Sequence, residues 1–208
     1  MKIILIAMVF SLMVVLYASK LAYIQLVKKH LKNEEWLPIV NESGGVYGKI
    51  TRSLSLQENK YYHPVIRIAL MHKGKLFLKA SSSAPDSKSF PWDYPLARYL
   101  KFNESLEDGV SHIFNENNGK TSNLSARFIV RYIHQETKQM IYLYICNIAH
   151  ETQLGQNFLN GGKWWTPKQI SENLSSGIFS NLFENEYNLV SSTVLAATRL
   201  MYDWDCAN

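Results

Sequence analysis

Apolar and polar positions along this chain follow three rhythms. The first is an uninterrupted run: residues 3–18, from Ile3 to Ala18, carry no charge, and Leu21 to Val27 continues largely apolar. The second is a set of short apolar blocks bounded by turn residues. Leu37 to Val40 and Val46 to Thr51 read as strands around the turn Asn41-Glu42-Ser43-Gly44-Gly45. His63-Pro64 opens a strand over 65–71, His72-Lys73-Gly74-Lys75 turns it, and 76–79 returns. Two further strands are predicted over 126–134 and 140–148, turning at Gln135-Glu136-Thr137-Lys138. Their apolar residues are nearly continuous, as in a sheet covered on both faces.

The third rhythm is helical. Leu106, Val110, Ile113 and Phe114 recur at i, i+4, i+7 and i+8, one face of a helix. Ser105 and Asp108 form a start signal, and Gly119 stands where a helix is closed by glycine. Thr166 and Pro167 cap a second helix over 167–174, after a tryptophan-bearing strand at Gly161 to Trp165. A closing helix is predicted over 183–203, with Leu189, Val190, Val194, Leu195, Ala197, Leu200, Met201 and Trp204 on its apolar side. Ser81 to Ser89 is a polar loop, and an aromatic, proline-punctuated strand region precedes the first helix from Ser89 to Tyr99.

Charge changes the picture in one place. The formal charge is +5, and Lys2, Lys20, Lys28, Lys29 and Lys32 are the charges of residues 1–32. The other 17 basic residues balance the 17 acidic ones, so the basic character belongs to the N-terminal segment. That argues against nucleic acid as a partner of the domain. The uncharged run is a little short for the ~20 residues of a span, but Lys20 can snorkel and a tilted helix can finish the crossing. The expectation is a single-pass membrane anchor over 1–32, holding the domain 33–208 in the cytoplasm because the lysines follow the run. A cleaved signal peptide and a buried helix of the domain are the rival readings. Residues 33–36 form a polar hinge. With Cys146 in an apolar strand and Cys206 at the tail, no disulfide framework is expected.

The stretch from Arg98 to Gly119 resembles the box of the Nudix family: Gly, five residues, Glu, seven residues, Arg-Glu, an apolar residue, any residue, Glu-Glu, any residue, Gly. Glu104 matches the first glutamate, Phe114 the apolar position, Glu116 the first of the glutamate pair and Gly119 the last glycine, with no insertion. Arg98 stands for a glycine, His112 for an arginine, and Ile113 and Asn117 for glutamates. Trp92-Asp93 and Trp164-Trp165 add to the likeness, which spans about residues 36–190.

The resemblance implies an α+β fold, a Nudix-like α/β/α sandwich on a mixed sheet, here preceded by one N-terminal transmembrane helix. It also implies chemistry on a nucleotide or other diphosphate ligand, with Mg²⁺ or Mn²⁺ as cofactor if the chain is active. Such a cation needs hard oxygen ligands, which the box carboxylates supply in the family. In this chain Glu104 and Glu116 are the candidate catalytic and metal-ligating residues. One reading has them hold a single metal with help from substrate phosphates. The other makes Glu116 a solvated helix charge and Glu104 a residue that fixes the loop. Asp108, His112 and Glu116, at i, i+4 and i+8, are an alternative metal set. Trp92, Tyr94, Tyr99, Trp164 and Trp165 are candidates for lining a cleft or for sheet packing. The function expected is that of a membrane-anchored Nudix-homology protein, catalytically degenerate and acting in ligand or partner binding. The alternative is an active hydrolase with an atypical metal site.

Overall fold

The computed structural model describes residues 2–80, 91–118 and 124–192, with the side chains of 2–11, 29–33, 117, 118, 152 and 156 set aside. The expected loop 81–89, Gly119, Cys206 and the closing helix beyond residue 192 lie outside the described residues.

Helix α1 runs over Lys2–Asn33, continuous because no glycine or proline interrupts it. Among the described residues, no helix is long and apolar enough to cross a membrane. That overturns the expectation of a single-pass membrane protein with its domain in the cytoplasm. The described side chains of α1, Leu12 to Lys28, are apolar only as far as Ala18; Ser19 and Lys20 interrupt them and Lys28 follows.

Beyond α1 the chain is a mixed α+β fold. Strands β1 (Trp36–Val40) and β2 (Val46–Thr51) form an antiparallel hairpin, followed by α2 (Arg52–Glu58). Strand β3 (His63–His72) is the axis of a seven-stranded sheet. Its first half pairs antiparallel with β6 (Leu96–Tyr99) and its second half with β4 (Lys75–Ala80). Its other edge pairs in parallel with β8 (Gln139–Asn147), which pairs antiparallel with β7 (Arg127–His134). Strands β5 (Trp92–Asp93) and β9 (Gly162–Trp165) complete the sheet against β4. Cover on both faces holds for β3, where Val65 to Met71 are all buried, and for most of β8. It does not hold for β7, which was expected to be covered likewise: it is the edge strand, none of its residues is fully buried, and Phe128 is 49% exposed.

The two faces hold two cores. On one, Val65, Ala69, Ile141 and Leu143 meet Ile170 of α5 (Pro167–Asn173) and Phe183, Tyr187 and Val190 of a closing helix, α6, described over 181–192. On the other, Ile66, Ile68 and Leu70 meet Ile113 and Phe114 of α3 (Leu106–Asn118) and Phe158 of α4 (Gln156–Leu159). Leu106 and Val110 pack half-buried against this second core, so the helical face read from the spacing is the face that docks. Thr166 caps α5 as expected: its hydroxyl accepts from the Gln169 amide, and the Gln169 side chain accepts from the Thr166 amide. Leu189, expected on the apolar side of α6, is 45% exposed, whereas Val190 is fully buried.

The hinge after α1 is held rather than free. The Glu35 carboxylate accepts from Arg52 at 2.7 Å, and Glu34 accepts from the Ser53 amide at 3.2 Å. Thr51, the N-cap residue of α2, makes no side-chain cap bond, so Glu34 satisfies an amide of the first turn instead.

Candidate functional site around the box helix

Helix α3 begins after the loop 101–105, where Asn103 sits at φ 67° and reverses the chain. The Ser105 hydroxyl accepts from the Asp108 amide at 3.1 Å and donates to the Asp108 carboxylate at 2.8 Å, so the predicted start signal works as a local cap. Gly109 is the point of closest approach to the sheet. A Cβ there would lie 2.5 Å from Ile66 Cδ1 and 2.8 Å from Leu100 Cδ1.

Glu104 is the hub of this loop. Its Oε1 accepts from Arg98 at 3.0 Å and from His112 Nδ1 at 2.5 Å, and its Oε2 accepts from the Lys101 amide at 2.8 Å. Its side chain is only 7% exposed. Burial pushes its pKa up, but the Lys101 amide, His112 and Arg98 outweigh that, and the carboxyl titrates below the usual carboxylate range. The two box positions that differ around Glu104, Arg98 and His112, are thus the two side chains bonded to it.

The other box positions diverge in space. Ile113 is 1% exposed and packs in the second core. Glu116 stands exposed on the outer face of α3, with no hydrogen bond or ion pair among the described residues. The side chain of Asn117 lies outside the described set. Glu104 and His112 come together; Glu116 does not join them, and among the described residues no three His, Cys, Asp or Glu side chains group as metal ligands. The alternative set of Asp108, His112 and Glu116 is divided: Asp108 pairs with Ser105 and His112 with Glu104.

The aromatic residues singled out from the sequence are mostly core. Trp165 meets Trp92 and Phe179 edge-on at 5.4 Å and 5.0 Å, and Tyr94 meets Phe183 at 5.1 Å. Trp164 packs on Phe77 at 4.9 Å, and the Tyr99 hydroxyl accepts from Gln139 at 2.8 Å. His63, at the start of β3, is buried, its Nδ1–H donating to the Pro38 carbonyl at 2.8 Å.

Sequence reasoning also missed a buried charged cluster on the opposite face of the sheet. Arg67 Nε donates to both oxygens of Glu186 at 2.9 Å, and its NH2 donates to Asp93 at 2.5 Å. The Tyr132 hydroxyl donates to Glu186 at 2.6 Å. Glu186 is completely buried and Arg67 is 5% exposed. Burial alone would lower the Arg67 pKa, but Asp93 and Glu186 more than reverse it, while burial raises Glu186 despite Arg67. A charge in the middle of the apolar run of β3 was the one available signal.

No family model and no curated protein matches the chain. Among solved structures it is similar to DR0079 from Deinococcus radiodurans, with 21% identity, 72% of this chain and 96% of that one covered, and a TM-score of 0.56. That likeness is one of fold. More distant matches are the MutT protein from Methanosarcina mazei Go1, at 15% identity, 64% and 94% coverage and TM-score 0.45, and a NUDIX hydrolase from Nitrosomonas europaea, at 11%, 63% and 89% and 0.43. The class defined by the fold is a mixed α+β domain with helices on both faces of a mixed sheet. Its layout is consistent with a Nudix-like one.

Proposed function

We propose that this chain is a Nudix-homology protein that binds a nucleotide or other diphosphate ligand and does not hydrolyse it by the family's metal-assisted route. The observation that carries the reading is the state of Glu104. Its carboxylate already accepts from Arg98, His112 and the Lys101 amide, so a cation would have to displace charge-assisted bonds to reach it. Ile113 supports the reading from the other side, because it fills core space and offers no oxygen. Nudix hydrolases generally use Mg²⁺ or Mn²⁺; the donor set here does not fit such an ion. Glu104 and Glu116 then serve different ends: Glu104 positions the box loop, and Glu116 is a solvated charge.

The test is turnover of a panel of nucleoside diphosphate derivatives by the full-length chain, with Mg²⁺ and with Mn²⁺. Turnover at or near background is expected. Turnover at ordinary enzyme rates that is abolished by Glu116→Gln, with an unchanged melt, would replace this reading with that of an active hydrolase using an atypical metal site.

A further inference from the structure

Beside the box loop the rings of Trp36 and Phe102 both lie against the ammonium of Lys49, a slot that the lysine itself fills. Lys49 faces Pro38 across the β1–β2 hairpin, so Trp36, two residues along, is its diagonal neighbour on the same face. The Phe102 amide donates to the Trp36 carbonyl at 2.8 Å, which brings the loop before α3 against β1. The Lys49 ammonium sits 4.9 Å from the centre of the Trp36 ring and 4.9 Å from that of Phe102. The other cations nearby are paired: Arg52 and Lys101 both reach Glu35, at 2.7 Å and 3.4 Å. Lys49 has no carboxylate partner among the described residues, and its side chain is exposed.

We propose that Trp36, Lys49 and Phe102 form a metal-independent site for a nucleotide, with the planar base against the rings and a phosphate on the Lys49 ammonium. The inference rests on the ligand-binding reading above and names the residues that would do the binding. An exposed ammonium resting on ring faces is held weakly, so it can turn to a phosphate while the ring faces it leaves accept a base. A cation with no carboxylate partner need break no ion pair to take up an anion. The slot is also well placed: Phe102 lies two residues before Glu104, a chain distance of at most about 7 Å, so a diphosphate on a stacked base reaches the start of the box helix.

The experiment is calorimetric titration of the full-length chain with ADP in EDTA, with adenosine and inorganic pyrophosphate as separate arms. ADP should bind without metal, more tightly than either fragment. Lys49→Ala should weaken ADP tenfold or more without moving the melting temperature, and Lys49→Arg should restore most of the affinity. Phe102→Leu should weaken both ADP and adenosine. Binding in EDTA that ignores Lys49→Ala and Phe102→Leu would sink the slot and leave ligand binding standing. Pyrophosphate bound as tightly as ADP would also sink it, because the rings would then contribute nothing. ADP binding that requires Mg²⁺ and is lost in Glu116→Gln would overturn the slot and the metal-independent reading together. No binding of ADP at millimolar concentration in EDTA would overturn the proposal outright.

Discussion

Two residues, Ile113 on the box helix and Glu104 in the loop before it, decide what the helix is for. Ile113 points into the core between α3 and the sheet, so its substitution tests packing as well as chemistry. Ile113→Glu would put a carboxylate into the apolar second core and would remove an apolar side chain that is 1% exposed. A loss of about 3 kcal/mol or more is expected, measured as a fall in the urea midpoint. Inactivity of such a variant therefore cannot be read as chemistry until its melt has been compared. Glu104→Ala should cost about 2 kcal/mol, because Arg98 is left 13% exposed without its partner and the Lys101 amide loses its acceptor. Glu104→Gln keeps an acceptor and should cost about half as much. If denaturant unfolding shows the two variants equal, Glu104 is not the anchor of the loop.

At the scale of the element, α3 depends on a glycine that helix propensity alone disfavours. Gly109→Ala would stabilise an exposed helix by up to about 1 kcal/mol. Here the added methyl meets Ile66 and Leu100 inside 3 Å, so the helix must lift from the sheet. Destabilisation of about 1–3 kcal/mol is expected, with the sign reversed from the propensity rule. Thermal melts of Gly109→Ala beside wild type decide it, and a gain in stability would show that the helix can shift without cost. Helix α2 teaches a related lesson. Its sequence Arg-Ser-Leu-Ser-Leu-Gln-Glu alternates polar and apolar residues and shows no helical stripe, and Leu54 and Leu56 remain exposed. Part of its N-terminal satisfaction comes from Glu34, 19 positions earlier, a partner that no local reading supplies.

For the whole molecule, the Arg67 cluster ties three parts of the sheet to α6. Arg67 sits on β3, Asp93 on β5, Tyr132 on β7 and Glu186 on α6. Arg67→Met would leave two carboxylates facing each other with Glu186 wholly buried, and about 3–5 kcal/mol of stability should be lost. The double variant Arg67→Met with Glu186→Met should lose clearly less than the sum of the single changes, since each removes the other's penalty. Additive losses would mean that the pair is not coupled.

A pH dependence follows from His63. Burial lowers its pKa below the ordinary 6.5, opposed in part by the Pro38 carbonyl. Below pH 6.5 the unfolded chain then binds more protons than the folded one, so stability present above that value is lost as the pH falls. The loss is at most about 1.4 kcal/mol per pH unit for this group. Glu104 and Glu35, both lowered, act in the same direction but below the carboxylate range, whereas Glu186, raised by burial, acts in the opposite one. The difference between wild type and His63→Asn, followed by urea unfolding from pH 7.5 to 5.5, isolates the histidine. The slope should be shallower in the variant; parallel curves would remove His63 from the account.

The sequence by itself determined what depends on neighbours along the chain. The 3.6-residue spacing of Leu106, Val110, Ile113 and Phe114 gave α3 and its docking face, and Thr166-Pro167 gave the start of α5. The blocks around Gly74 and around Gln135 to Lys138 gave two hairpins, and the frame from Glu104 to Gly119 gave the likeness to a Nudix box. The tertiary structure decided what depends on chains meeting from afar. That Ile113 is core and Glu116 solvent follows from which side of α3 the sheet covers. That Glu104 is saturated follows from Arg98 arriving on β6 and His112 on α3. The slot at Lys49 needs β1, β2 and the loop before α3 at once, and the Arg67 cluster needs three strands and α6. Periodicity reports burial because burial repeats along an element. It is blind to the partner of a charge, because a carboxylate and a guanidinium 119 residues apart become neighbours only when the sheet closes between them.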